Sequence, residues 1–224
     1  MDYEVLHREL TTRVREQEIL KHTKDVVSKA LELYKKANLK ESLTHLVEEA
    51  AWLHDIGKYS TVANKILGRV YESDYEQLAL HAIVGANYLN NGPNIPVNMG
   101  VPDIVARHTS IPWSERDIHA IGERIELDKE LRRPIPNPFS KEAEFTYRGV
   151  TYIADTPSGD LQRAMIVLVL ADNSDKNKVN EFTRKNPFLR GDAGKCLKKN
   201  VYTAAQMLGL EAEFAEFDVG PICF

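Results

Sequence analysis

Trp52-Leu53-His54-Asp55-Ile56-Gly57-Lys58 closes an apolar helical run and sets an imidazole beside a carboxylate at its end. A carboxylate in that position loses hydration, and burying it unpaired is costly. A metal ion offsets the cost by binding the imidazole lone pair and the carboxylate together. An His-Asp pair alone arises readily by chance in a chain of 224 residues. Its weight comes from His22 upstream and from His81, His108 and Asp172 downstream, each on an apolar helical pattern.

Working outward from that stretch, helical periodicity dominates, so the expected fold class is all-α, a helical bundle. Ile19, Val26, Ala30 and Tyr34 recur at helical spacing between Glu18 and Ala37, with His22 on the same stripe. Leu43, Val47, Ala50 and His54 do the same between Ser42 and Ile56, and Gly57 is expected to stop that helix as a C-terminal glycine. Ser73-Asp74-Tyr75-Glu76 has the form of a capping box, opening a helix whose inner face reads Leu78, His81, Gly85 and Tyr88. A short helix near Pro102 presents Val101, Ile104, Val105 and His108. Another, from about Pro157 to Asn173, buries Leu161, Met165 and Leu168 with Asp172 next in step. A last amphipathic helix runs from about Lys195 to Leu208 and is closed by Gly209.

Residues 113–156 interrupt this pattern and read as an insertion in one helical domain spanning residues 1–224. Leu131 to Ser140 carries three prolines, which argues for an irregular connection. Phe145 to Ile153 alternates like a short β-hairpin turning at Arg148-Gly149. Structured insertions of this length often form lids or binding loops.

The composition is that of an ordinary soluble protein, with 43% hydrophobic and 28% charged residues. A net charge of −4 gives no global reason to expect nucleic acid or an anionic membrane as partner. Cys196 and Cys223 are too few for a disulfide framework or a thiolate zinc site, which points to a reducing, cytoplasmic setting. No secretory signal is read at the N-terminus. The longest apolar run, Ala164 to Ala171, is far too short to span a bilayer.

One histidine per helix is how a bundle assembles a metal site in its core. A lone histidine on an apolar stripe is more often a hydrogen-bonded core residue, and Asp172 alone would more often bond backbone. Four such histidines with two aspartates, all on inner faces, outweigh that simpler reading. Imidazoles with a few carboxylates suit iron, manganese, cobalt, nickel or zinc. Six side chains are too many for one metal that keeps a position open for water, so two metals sharing Asp55 fit better.

In this order the residues resemble the HD superfamily of metal-dependent phosphohydrolases. The likeness lies in His22, His54-Asp55-Ile56-Gly57-Lys58, His81 to Ala86, His108-Thr109 and Ala171-Asp172, covering about residues 18 to 175. His81 and His108 resemble the added pair of the dinuclear branches. No Gly-Tyr-Pro follows in the HD-GYP manner, and the (p)ppGpp hydrolases lack counterparts of these two histidines. His81-x-x-x-Gly85-Ala86 and Arg107-His108-Thr109 look most like the diadenosine-tetraphosphate hydrolases, where the insertion has no obvious place.

The resemblance implies that His22, His54 and Asp172 hold one metal, that His81 and His108 hold the second, and that Asp55 bridges them. A hydroxide formed between the metals would attack phosphorus of a phosphoester or phosphoanhydride, in a nucleotide or another small phosphorylated substrate. Lys58 becomes a phosphate contact or the acid for the leaving oxygen. Its simpler reading is a solvated lysine at a helix C-terminus. Further substrate contacts are expected from Arg107, from Arg132 and Arg133 on the insertion, and from Lys176, one turn beyond Asp172 if that helix continues. Lys176 belongs to a basic segment, Asn173 to Lys199, with eight lysines and arginines against three acids. Two other functions share these ligand types: a mixed-valence di-iron oxygenase, and a non-catalytic nucleotide or metal sensor.

Overall fold

A computed structural model describes residues 2–11, 17–59, 81–91, 96–106, 108, 144–147, 150–153, 159–185 and 192–220. Its elements, in chain order, are α1 (Tyr3–Leu10), α2 (Gln17–Lys36), α3 (Thr44–Leu53), α4 (His81–Asn91) and α5 (Val101–Ala106). Then come β1 (Glu144–Tyr147), β2 (Val150–Ile153), α6 (Gly159–Asp172), α7 (Lys176–Lys185) and α8 (Asp192–Met207). Single 3-10 turns precede and follow α3, at Glu41–Leu43 and Ile56–Tyr59, and a longer one, Glu211–Phe217, follows α8. The described protein is mostly helical, as the periodicity requires.

α6 is the centre of the bundle. Every residue from Ala164 to Ala171 is buried, and a helix apolar all round needs neighbours on all sides. α2, α3, α5 and α8 supply them. α2 contributes Val26, Ala30, Leu33 and Tyr34 from one face, α3 contributes Val47, Ala50 and Leu53, and Phe214 and Phe217 join them from the turn after α8. Each fully buried leucine or phenylalanine stabilises the fold by about 1.5–3 kcal/mol. That apolar enclosure makes the polar residues at its edge conspicuous.

The helix ends explain how the chain reaches them. α2 finishes on Lys35 and Lys36, favourable at the negative end of the helix dipole, and Asn38 takes the left-handed conformation (φ 48°) that turns the chain away. α6 stops at Asp172, where Asn173 Nδ2 donates to Val169 O at 2.9 Å and Ser174 Oγ donates to Ala171 O at 2.9 Å. Asp175 then caps a separate helix, accepting from the Asn177 and Lys178 amides. The helix thus ends within a residue of the expected Asn173; it does not continue to Lys176, which is the first residue of α7. Gly209 closes α8 with φ 70°, as its position after the apolar stripe foretells.

Three further expectations change. Gly57 is not a left-handed helix stop, because α3 ends at Leu53 and Gly57 lies inside the following 3-10 turn without a positive φ. Tyr88 is 36% exposed, since the core face of α4 runs through Ala82, Ala86 and Leu89, about a third of a turn away. Leu161 is only partly buried at the start of α6. The two strands of the expected hairpin pair antiparallel, with Tyr147 opposite Val150; the turn expected at Arg148-Gly149 lies outside the described residues. The rest of the 113–156 insertion, the capping box at 73–76 and Leu78 lie outside the described residues. No helix among the described residues is long and apolar enough to cross a membrane.

Candidate metal centre

Four segments carry the imidazoles to one place. His22 comes from α2, His54 and Asp55 from the end of α3, His81 from α4, and His108 from just beyond α5. Asp172 arrives as the last residue of α6. His54, Asp55 and His108 are almost wholly buried and His81 nearly so, whereas His22 and Asp172 are a quarter to a fifth exposed. The centre thus sits at the edge of the core, with one side open.

Asp55 organises it. Its Oδ2 lies 3.6 Å from His22 Nε2 and 3.4 Å from His54 Nε2, while its Oδ1 lies 2.9 Å from His81 Nε2 and 3.8 Å from His108 Nε2. The two oxygens of one carboxylate therefore face two different pairs of imidazoles. Asp172 joins the first pair, with Oδ1 3.0 Å from His22 Nε2 and 3.9 Å from His54 Nε2. His81 Nε2 and His108 Nε2 are 2.9 Å apart.

Local hydrogen bonds fix which nitrogen points inward. His54 Nδ1 donates to Ala51 O at 2.7 Å, and His108 Nδ1 donates to Val105 O at 2.6 Å. A carbonyl only accepts, so Nδ1 carries a proton in both rings and Nε2 is the nitrogen that faces the cluster, its lone pair available to a metal whenever the ring is neutral. A backbone carbonyl holding one nitrogen so that the other can ligate is the usual support of a metal-binding histidine.

The donors fit a metal. His54 Nε2 and Asp55 Oδ1 are buried without a hydrogen-bond partner, a cost that a cation removes. Ligands about 2.0–2.2 Å from a common ion lie roughly 3–3.5 Å from one another when adjacent, and the separations within the cluster, from 2.9 to 3.9 Å, span that range. By mutual distance the candidate ligands fall into two groups, His22 with His54 and Asp172, and His54 with Asp55 and His108. The first is the trio expected from the sequence. The second takes His54 in place of His81, although His81 makes the shortest imidazole contact to Asp55.

The electrostatics agree. Burial would raise the Asp55 carboxyl, but the charges of His54 and Lys58 outweigh it and hold it well below the usual carboxylate range. Asp172 is likewise held low against its burial, mainly by its hydrogen bond to His22. Burial depresses His54, yet the Asp55 and Asp172 charges carry it above its ordinary value. That negative field attracts a metal cation as it attracts a proton. His108 is pushed down to about 3, first by burial and then by the neighbouring His81 and His54, so its ring stays neutral.

Lys58 completes the set from the 3-10 turn, with Nζ 2.6 Å from Asp55 Oδ2 and its side chain about one-fifth exposed. It is therefore a partly enclosed cation at the carboxylate, not a solvated helix-end lysine. Of the other expected substrate contacts, Arg107, Arg132 and Arg133 lie outside the described residues, as does the side chain of Lys176.

Two features escaped the sequence reading. Gly57 packs its backbone onto α4, and a Cβ there would lie 2.0 Å from His81 O and 2.6 Å from Gly85 N. This contact brings the Asp55 turn against the helix that carries His81, and the glycine at His81-x-x-x-Gly85 was its only sequence signal. The other is His7, completely buried against Trp52 and Tyr59. No family model, curated protein or solved structure matches the chain.

Proposed function

We propose that the chain is a dinuclear, metal-dependent phosphohydrolase of the HD type. The observation that carries the reading is Asp55 between two sets of imidazoles, His22 and His54 on one oxygen, His81 and His108 on the other. A bridging carboxylate needs that arrangement. His22, His54 and Asp172 would hold one divalent cation, and His81 with His108 the second. Iron, manganese, cobalt, nickel and zinc all suit these donors. Bound there, such cations supply a hydroxide nucleophile at neutral pH and offset phosphoryl charge.

The chain's own residues do the rest. Backbone carbonyls hold His54 and His108 in the ligating tautomer, so neither ring must reorganise. Lys58 stands where it can bind a phosphoryl oxygen or give a proton to the leaving oxygen. The open side at His22 and Asp172 admits substrate, for which a phosphoester or phosphoanhydride of a nucleotide is the favoured class.

The test is a panel of nucleotides and phosphoesters incubated with protein loaded with iron, manganese or cobalt. Phosphate or nucleotide release that His54→Ala abolishes is expected. Consumption of dioxygen in place of phosphate release, or no reaction with any loaded form, would overturn the proposal.

A further inference from the structure

α1 is fastened to α3 at two points one helical turn apart. Tyr3 donates its hydroxyl to Glu49 Oε1 at 2.6 Å and stacks on Trp52. Asn98 holds the other Glu49 oxygen. Four residues on, His7 Nε2 lies 2.6 Å from the Trp52 carbonyl oxygen and His7 Nδ1 lies 2.9 Å from the Tyr59 hydroxyl. Since a carbonyl only accepts, Nε2 is the donor, and Nδ1 accepts from Tyr59. Burial lowers the affinity of His7 for a second proton, in keeping with a neutral ring.

Both nitrogens of this ring are committed to residues on either side of the His54-Asp55-Lys58 turn. Successive carbonyls at the end of α3 are capped by two imidazoles, Ala51 by His54 and Trp52 by His7. One ring presents its other nitrogen to the metal centre, and the other grips the residue after Lys58. We infer that His7 is a positioning residue: it straps residue 52 to residue 59 and so sets where His54, Asp55 and Lys58 stand relative to one another. The strap stands on geometry alone, whereas its chemical consequence rests on the function proposed above.

The test compares His7→Ala, His7→Gln and Tyr59→Phe, and reads amide hydrogen exchange together with Mn²⁺ affinity by calorimetry. Losing a buried hydrogen bond should speed exchange at residues 54–59 by about tenfold, leaving the centres of α2 and α6 unchanged. Loss of a partner behind the ligands should weaken Mn²⁺ binding by about 10–100-fold. His7→Gln keeps a donor near Nε2 and should recover much of both effects. Tyr59→Phe keeps the ring but frees one end of the strap, and should also speed exchange at residues 54–59; it carries the test if His7→Ala does not fold. Exchange that rises uniformly, or not at all in the turn, would overturn the strap. Wild-type protein that takes up no Mn²⁺ would instead sink the phosphohydrolase reading, and the exchange pattern would still decide the strap.

Discussion

Gly57→Ala should dismantle the metal centre through a single methyl group. The added Cβ would sit 2.0 Å from His81 O, whereas real Cβ atoms do not approach closer than 3.0 Å, so the turn and α4 must part by at least 1.0 Å. The obstructing atoms are backbone, so no side chain can rotate away. An opening of that size carries the His81 to Asp55 contact from 2.9 Å to about 3.9 Å, whereas metal–ligand distances tolerate only about 0.2 Å. Overpacking of this kind costs about 1–3 kcal/mol, which lowers the melting temperature by roughly 2–12 °C in a chain of this size. Gly85→Ala is the control, because its Cβ would meet Gly57 N at 3.1 Å and ask for only a few tenths of an ångström. Thermal melts of metal-free protein and Mn²⁺ calorimetry on both variants check this. If Gly57→Ala bound Mn²⁺ as tightly as wild type and melted within a degree of it, close backbone contact would not be what registers Asp55 against His81.

Lys58→Met should leave metal content intact and lower kcat/KM on phosphoesters by about 10²–10⁴, the range for a lost proton donor or charge stabiliser; a parallel loss of metal would show that Lys58 instead holds Asp55 in place. His7 gives a pH signature. Its folded value is depressed by burial, so the unfolded chain takes up its proton first as pH falls through about 6.5, and stability declines below that pH but not above it. In metal-free denaturation curves His7→Gln should flatten this decline by up to about 1.4 kcal/mol per pH unit; an unchanged slope would contradict a neutral buried ring. Leu168→Ala, in the fully buried centre of α6, should cost about 2–5 kcal/mol without moving metal stoichiometry, as seen by denaturation and metal analysis.

The clustered histidines and aspartates were legible in the sequence because each lies in step with an apolar stripe, and a stripe reports which face turns inward. The paired strands were legible for a similar reason, since Phe145 to Ile153 alternates. Gly57 was misread because a glycine after an apolar run ordinarily signals a left-handed turn, and sequence does not distinguish that need from a need for space against another backbone. His7 gave almost no signal: its partners are a backbone carbonyl and a hydroxyl 45 and 52 residues away. Only the four-residue spacing from Tyr3 hints that both face α3. The end of α6 near Asn173 was legible too, whereas the new helix that Asp175 caps was not, because Asn173, Ser174 and Asp175 are equally at home in a turn or a cap.

The central claim, that Asp55 joins two metal sites, is tested most directly by counting ions. Protein stripped of metal and titrated anaerobically with Fe²⁺ or Mn²⁺ should bind two ions per chain, and Asp55→Asn should bind at most one, weakly. Wild-type protein that binds none, or an Asp55→Asn variant that still binds two with unchanged affinity, would contradict it.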